Sequence, residues 1–145
     1  KRCDERSTFW NAATSNDITQ KLSSVPMHVF FGEVCGNVGN MRYGMSGNNR
    51  LFRVFDVFDV KQMRYLDFDV AFELTKSIGL DYVPIFYRGL WKNELNKLCD
   101  GSSALADHFR EGFVVKPVKE RWEEHVGRVI LKRHGEEYLL RKKKR

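Results

Sequence analysis

The sequence has 145 residues, which is enough for one domain with a real hydrophobic core. A hydrophobic content of 42% and an aromatic content of 13% exclude a disordered chain, and no run approaches the ~20 apolar residues of a membrane span. The formal net charge is +6, and five of the positive charges form the terminal run 141–145. This basic tail fits nonspecific phosphate binding and a solvated chain end equally well.

The cysteines, the histidines and the N-terminal residues indicate which general class of protein this is. Cys3, Cys35 and Cys99 are far apart and form no Cys-x-x-Cys pair, which favours reduced thiols in a cytosolic protein. The four histidines have no metal-ligand spacing with these cysteines, so the pattern does not indicate a zinc site. Residues 1–20 contain no apolar leader, and because Lys1 is not a Met we expect a fragment or a trimmed chain.

The first half of the chain predicts two strands and a helix. Met27 to Cys35 is rich in β-branched and aromatic residues and predicts a buried strand, and Leu51 to Phe58 predicts a second strand antiparallel to it. The glycines and asparagines of residues 36–50 indicate a loop between them. Asp69 is predicted to cap a helix that Gly79 ends. The apolar residues of this helix follow the helical period: Val70, Ala71, Leu74 and Ile78.

The second half predicts shorter elements. A strand at 82–87 is interrupted by Pro84, residues 101–103 form a break, and strands are expected at 111–118 and 127–133. One helical face is formed by Trp91, Leu95 and Leu98. Strands and helices are mixed without a regular βαβ rhythm, so the sequence predicts an α+β fold with mostly antiparallel sheets.

Four segments place a charged side chain in an apolar strand, and the first contains Glu33. A carboxylate in so apolar a strand needs a partner or a ligand. Gly32 beside it would let a ligand approach the backbone closely. The alternative is that Glu33 ends the strand at a turn.

The second segment is Phe-Arg-Val-Phe-Asp at 52–56. Strand alternation predicts Phe52, Val54 and Asp56 on one face and Phe55 on the other. An aromatic ring that faces a cleft could stack on a base, whereas core packing is the favoured interpretation of this segment taken alone.

The third and fourth segments combine a carboxylate with basic side chains. Glu111 and Lys116 flank an apolar strand, and they suit a divalent metal and a phosphate respectively. At 127–134, alternation predicts a basic face opposite the apolar Val129 and Leu131, as polyphosphate binding requires. The alternative is an exposed edge strand protected by charge. The basic face would comprise Arg128, Ile130, Lys132 and His134.

In this order the four segments resemble motifs III, IIIa, IV and V of the covalent nucleotidyl transferases. They read Phe-Phe-Gly-Glu at 30–33, Phe-Asp-Val at 55–57, Glu-Gly-Phe-Val-Val-Lys at 111–116 and Ile-Leu-Lys at 130–132. The amino-acid sequences of these motifs are most similar to those of the RNA ligase branch, in particular the bacterial and phage nick-sealing ligases. The resemblance covers roughly residues 28–140. It implies that residues 1–145 form part of an RNA ligase adenylation domain, incomplete at the N-terminus and containing motifs III to V.

The resemblance also implies residue roles around ATP and a Mg²⁺ or Mn²⁺ ion. His134 stands where motif V usually has a second lysine and is the implied cofactor-binding residue there, with the neighbouring Arg133 as the alternative. We expect Glu33, Glu111, Lys116 and Lys132 to line one cleft between antiparallel sheets. By this resemblance, Glu33 would accept hydrogen bonds from the ribose hydroxyls, and Phe52 would stack on adenine, with Phe55 as the second candidate. Glu111 would bind the metal, and Lys116 and Lys132 would be the catalytic cations that contact the phosphates.

The family nucleophile, a lysine in Lys-x-Asp-Gly, does not occur in this sequence. The resemblance therefore implies that the attacking lysine precedes Lys1 and that this chain alone does not adenylylate itself. Arg2 and Arg6 are the candidates for the basic residue that follows the nucleophile.

The implied function is an ATP-dependent RNA ligase that joins a 3′-hydroxyl to a 5′-phosphate through ligase–AMP and RNA-adenylate intermediates. The implied protein is a cytoplasmic monomer that repairs RNA or RNA/DNA strand ends and has no membrane partner. Two alternatives stay open: a nucleic-acid-binding module without catalysis, and a relative of capping enzymes or DNA ligases.

Overall fold

A computed structural model of the chain describes residues 7–38, 41–42 and 50–143. The chain forms two compact units: the first extends to Val83 and includes Val118–Glu120, and the second contains Pro84–Pro117 and the residues from Arg121 on. The helices of the first unit are α1 (Thr8–Ser15), α2 (Ile18–Ser23) and α3 (Phe68–Ser77). Its strands are β1 (His28–Val38), β2 (Met41–Arg42), β3 (Arg50–Asp59), β4 (Arg64–Tyr65) and β5 (Asp81–Tyr82).

The first unit is organised by the antiparallel pairing of β1 with β3. Their register runs from His28 opposite Asp59 to Gly36 opposite Arg50. The sheet order is β2-β1-β3-β4, and β5 pairs with β3 in parallel. The two predicted strands and their antiparallel pairing are therefore confirmed.

A β-bulge interrupts this pairing. Phe31 lies opposite Asp56 while Gly32 lies opposite Val54, so Phe55 is an extra residue on β3. Val54 and Val57 are both fully buried although they are three residues apart, which shows that the side-chain phase changes between them. The Tyr82 hydroxyl donates a 2.6 Å hydrogen bond to the Phe55 carbonyl. The predicted alternation through residues 52–56 is thus wrong beyond Val54.

The core of the first unit lies between the β1–β3 pair and the helices. Helix α3 buries Ala71 and Thr75, and the Thr75 hydroxyl donates to the Ala71 carbonyl at 2.7 Å. The helix ends as predicted, because Gly79 takes a φ of +71° and its N–H donates to the Lys76 carbonyl. The buried core residues are Val54, Val57, Leu66, Ala71, Leu80 and Tyr82.

The start of α3 corrects the predicted cap. Asp67, not Asp69, is the N-cap residue, and Val70 is exposed rather than on the buried face. The Asp67 carboxylate accepts a 2.8 Å hydrogen bond from the Glu120 N–H, and the Phe68 N–H donates to the Val118 carbonyl at 2.8 Å. Residues 118–120 therefore provide hydrogen-bond partners for the N-terminus of α3.

The second unit contains shorter elements. They are a 3₁₀ helix (Asn93–Cys99), strands β6 (Gly112–Val115), β7 (Trp122–Glu123), β8 (Gly127–Arg128) and β9 (Leu131–His134), and helix α4 (Glu136–Lys143). Strands β6 and β9 pair antiparallel, as do β7 and β8. The mixture of helices and mainly antiparallel sheets confirms the α+β fold class. No helix in the described part of the chain is both long and apolar enough to cross a membrane.

Three predicted elements of the second half differ from the structure. The strand at 82–87 ends at Tyr82, ahead of Pro84, which has no N–H to donate to a sheet. Trp91 precedes the 3₁₀ helix that contains Leu95 and Leu98, and its ring lies 6.3 Å from that of Phe113. The strand at 127–133 is split, because Val129 and Ile130 belong to neither β8 nor β9.

Gly32 is required by the packing of the β1–β3 pair. A Cβ added there would lie 2.6 Å from the Arg53 carbonyl oxygen and against the ring of Phe52. Gly32 thus faces the packed Phe52 ring, and the expectation that it opens the strand to a ligand is wrong.

We predict that Gly32→Ala lowers the free energy of unfolding by about 3 kcal/mol or more, because a fixed backbone oxygen cannot move aside. The measurement is urea unfolding followed by circular dichroism. Gly79→Ala is the matched control: its nearest neighbour would be 3.7 Å away, so only the positive φ is strained and the loss should be about 1 kcal/mol. Equal losses at the two glycines would contradict the crowding at Gly32.

Candidate functional site

The first group of candidate residues lies on one face of the β1–β3 pair. Residues opposite each other in an antiparallel pair project to the same side, so Glu33 shares a face with Arg53, and Cys35 shares it with Leu51. We call this the Glu33 face. Strand β1 continues to Val38, so the alternative that Glu33 ends the strand at a turn is wrong. Its carboxylate is exposed on the side opposite the core.

Arg53 is a charged residue of this face that the sequence interpretation did not assign. Its Nη1 lies 3.6 Å from Asp81 Oδ2 and 3.5 Å from the Tyr82 carbonyl oxygen. Its Nε is buried and has no hydrogen-bond partner among the described residues. The signal was present in the sequence, because Arg53 is a charge inside an apolar strand in the same way as Glu33.

The two phenylalanines of β3 lie on opposite faces, as alternation predicts, but the cleft and core faces are reversed. Phe52 packs against the core cluster of the first unit, whereas Phe55 is 38% exposed. The face that Phe52 shares with Val54 is the buried one, and the bulge changes the phase of the strand only after Phe55. The expectation that Phe52 faces a cleft and Phe55 is buried is therefore wrong. Asp56, which follows, is only 3% exposed, and alternation did not predict its burial.

The second group lies around the β6–β9 pair. Lys132 Nζ is 3.8 Å from Glu111 Oε2, and the two side chains are 54% and 33% exposed. Sequence reasoning placed these residues in separate motifs, and the structure brings them together. The two groups form an ion pair, and solvent weakens their attraction at such exposure.

The backbone beside Glu111 is fixed by a close approach of β9. Gly112 has a φ of +147°, and a Cβ added there would collide with the Arg133 carbonyl oxygen. On the other side, the Gly135 N–H donates a 2.9 Å hydrogen bond to the Glu111 carbonyl. The Glu-Gly sequence therefore holds the Glu111 backbone in register with the end of β9, from which Lys132 projects.

Lys116 and His134 lie at opposite ends of the same pair. Lys116 follows β6 and is half-buried. His134 is exposed, and its ring stacks on Tyr138 of α4 with centroids 5.3 Å apart. All four residues of β9 are exposed, including Leu131 at 63%. The predicted apolar face opposite the basic one is therefore not buried, and the exposed strand that was the alternative describes β9 better.

Glu111, to which the metal is assigned, belongs to no larger cluster of possible metal ligands in the described residues. Among them, no group of three or more His, Cys, Asp or Glu side chains could hold a metal ion. Mg²⁺ commonly uses one or two carboxylates and takes its other ligands from water and substrate phosphates. The donor set around Glu111 fits an ion held in that way and does not fit one enclosed by protein ligands.

The charges of the Glu33 face act on the Cys35 thiol. The pKa of this thiol is raised from 9.0 to about 11: burial is the largest cause, the negative charge of Glu33 adds to the increase, and Arg53 opposes it. The thiol is therefore protonated near neutral pH and a poor nucleophile. Of the candidate sites named from the sequence, Arg2 and Arg6 and part of the basic tail lie outside the described residues.

Comparisons with known proteins match both the sequence and the fold. One family model, described as RNA ligase, matches residues 2–134. Solved structures of Naegleria gruberi RNA ligase variants are similar to the chain: one with ATP and Mn and one with AMP and Mn, each at a TM-score of 0.80 and 24% identity, and an apo form at 0.80 and 25%. Each alignment covers 99% of this chain and 43% of the other, so the chain spans less than half of their length. No curated protein is significantly similar in sequence.

We predict that Cys35 makes folding less favourable at alkaline pH. Its pKa is raised in the folded state, so its contribution to stability is fully present below about pH 9 and is lost as the pH rises towards about 11. Urea unfolding across this range should show a steeper loss of stability for the wild type than for Cys35→Ala. Parallel pH profiles for the two proteins would contradict the raised pKa.

Proposed function

Because this chain belongs to the RNA ligase family, we propose that it supplies the nucleotide- and metal-binding part of an ATP-dependent RNA ligase. The whole enzyme would join a 3′-hydroxyl to a 5′-phosphate through ligase–AMP and RNA-adenylate intermediates. The observation that carries this proposal is the Glu111–Lys132 pair, which sets a carboxylate and an ammonium group 3.8 Å apart beside a glycine that admits no side chain. These are the two kinds of group that binding a metal-bound triphosphate requires.

The first unit would hold the nucleoside. The Glu33 carboxylate would accept hydrogen bonds from the ribose hydroxyls, because it is exposed on the face opposite the core. Phe55 would stack on adenine in place of Phe52, since Phe55 is the exposed ring and Phe52 is packed. Base–aromatic stacking needs an accessible ring face, and Phe55 offers one on the exposed face of β3.

The second unit would hold the metal and the phosphates. Glu111 would bind Mg²⁺ or Mn²⁺, and such an ion would neutralise charge on the phosphate oxygens during in-line displacement at phosphorus. Lys116 and Lys132 would donate hydrogen bonds to those oxygens, with His134 at the exposed end of β9 as a further donor. The solved Naegleria gruberi structures with ATP or AMP and Mn support this choice of ligands.

The lysines of the described residues would bind phosphate and would not attack it. The sequence contains no Lys-x-Asp-Gly, and the Lys132 ammonium group lies 3.8 Å from the Glu111 carboxylate, an arrangement suited to binding rather than to attack.

The proposed partners are RNA or RNA/DNA strand ends, and the proposed setting is RNA repair by a monomer in the cytoplasm. Cys35 and Cys99 are free and buried, which supports a reducing compartment.

We predict that Phe55→Ala weakens ATP binding by about tenfold, as expected for the loss of one base–aromatic stack, and leaves stability almost unchanged. Phe52→Ala should instead lower the free energy of unfolding by about 3 kcal/mol, because it removes a ring from the core. Isothermal titration with ATP and Mn²⁺, together with urea unfolding, measures both effects. Loss of ATP affinity in a stably folded Phe52→Ala protein, with none in Phe55→Ala, would return the stacking role to Phe52.

We also predict that Glu111→Ala abolishes the Mn²⁺-dependent part of ATP affinity, because it removes the carboxylate that binds the ion. The control is Glu94→Ala, which removes an exposed carboxylate from the same unit and should leave binding unchanged. ATP binding that depends on Mn²⁺ to the same extent in wild type and Glu111→Ala would rule out the metal role.

A third prediction is that this chain, incubated with α-³²P-ATP and Mn²⁺, carries no label on a denaturing gel, because no lysine in it has the Lys-x-Asp-Gly context. A form of the protein that includes this motif should be labelled. A stable label on the 145-residue chain would reveal a nucleophile within it.

A further inference from the structure

Arg53 occupies the middle of a row of charges that crosses three strands. It lies opposite Glu33 of β1 in the antiparallel pair and opposite Asp81 of β5 in the parallel pair. The row therefore reads carboxylate, guanidinium, carboxylate, perpendicular to the strands. Neighbouring strands lie about 4.8 Å apart, so the guanidinium can reach either neighbour by a change of rotamer.

The guanidinium is incompletely satisfied in this row. Its two contacts, to Asp81 Oδ2 at 3.6 Å and to the Tyr82 carbonyl oxygen at 3.5 Å, are both longer than a good N–H···O hydrogen bond of about 2.9 Å. The buried Nε has no partner among the described residues, and the side chain is only 20% exposed. An arginine buried to this extent and left with unused donors is unfavourable unless it gains an acceptor in another state of the protein.

The positive charge of Arg53 affects a group on the Glu33 face. The Cys35 thiol, two residues beyond Glu33 on the same face, experiences both charges: Glu33 raises its pKa and Arg53 lowers it. Both charged groups are thus close enough to one thiol to change its ionisation. Because the Asp81 side chain is 58% exposed, water weakens its ion pair with Arg53.

We propose that Arg53 is a positioning residue for Glu33, whose carboxylate it orients to accept hydrogen bonds from the ribose hydroxyls of the bound nucleotide. This inference rests on the proposed function, in which Glu33 contacts the ribose. A carboxylate free to rotate loses side-chain entropy when it binds two hydroxyls, and a neighbouring guanidinium reduces that loss by restricting it beforehand. Asp81 and the Tyr82 carbonyl contact the guanidinium from the other strand, which keeps Arg53 in the row between the two carboxylates.

The test is a double-mutant cycle read out as ribose discrimination. The affinities of the chain for ATP and for 2′,3′-dideoxy-ATP are measured by isothermal titration for wild type, Glu33→Gln, Arg53→Gln and the double variant. We expect each single variant to reduce the ratio of the two affinities by about tenfold, as for the loss of a hydrogen bond to a charged group. The double variant should lose no more than Glu33→Gln alone, because Arg53 acts through Glu33.

Two further variants separate positioning from a general effect on the fold. Arg64→Gln removes an exposed arginine from the same sheet and should keep the wild-type ratio. Arg53→Lys keeps the charge but lacks the planar fork, so it should retain part of the discrimination. If Arg53→Gln does not fold, the same comparison is made with Arg53→Lys in both Glu33 backgrounds.

The outcomes distinguish this inference from the function on which it rests. If Arg53→Gln weakens ATP and dideoxy-ATP by the same factor in both Glu33 backgrounds, Arg53 acts on the phosphates or on the fold, and the inference is overturned. If Glu33→Gln reduces the ratio and Arg53→Gln does not, only the inference fails. A Glu33→Gln protein with the full wild-type ratio overturns the ribose role of Glu33 together with the inference.

Discussion

The bulge at Phe55 is the constraint on which the first unit depends. Core residues on β3 lie both before and after it, and they can share one hydrophobic cluster only because one extra residue changes the phase of the strand. The Phe55 ring lies on the opposite, exposed face, and the Tyr82 hydroxyl satisfies the Phe55 carbonyl. The phase change at the bulge therefore keeps Val57 in the core together with Val54. Gly32 belongs to this arrangement, because any side chain there would displace Phe52 from the core.

The second unit places its charges by a close approach of two backbones. Strand β9 passes so near Gly112 that only glycine fits, and the neighbouring carboxylate and ammonium groups then lie within 4 Å of each other. Both strands are short and β9 is exposed along its whole length, so hydrophobic packing alone would specify their register weakly. Steric exclusion at one glycine, supported by the hydrogen bond from Gly135 to Glu111, supplies the missing specificity.

The elements that sequence could predict are those encoded locally. The apolar runs of β1 and β3 and the glycine that ends α3 carry their signals within a few residues. The bulge could not be predicted, because alternation assumes a constant period and an extra residue is visible only in the pairing with β1. Arg53 is visible in the sequence as a charge in an apolar strand, but its neighbours Glu33 and Asp81 are distant in sequence. The same distance separates Asp67 from Glu120, whose N–H donates to the Asp67 carboxylate. The motif residues Glu111 and Lys132 were identified from the sequence, but their proximity depends on the β6–β9 register.

The first unit is discontinuous along the chain, and this has a consequence for the order of folding during synthesis. The N-terminal turn of α3 is completed by residues 118–120, which the ribosome adds only after the whole of Pro84–Pro117. Until then the Phe68 N–H and the Asp67 carboxylate have only water as a partner. Cotranslational folding of the first unit thus cannot finish before most of the second unit has been made, although its central strand pair emerges early. A nascent chain stalled near Pro117 would contain the β1–β3 pair with the start of α3 still open to solvent.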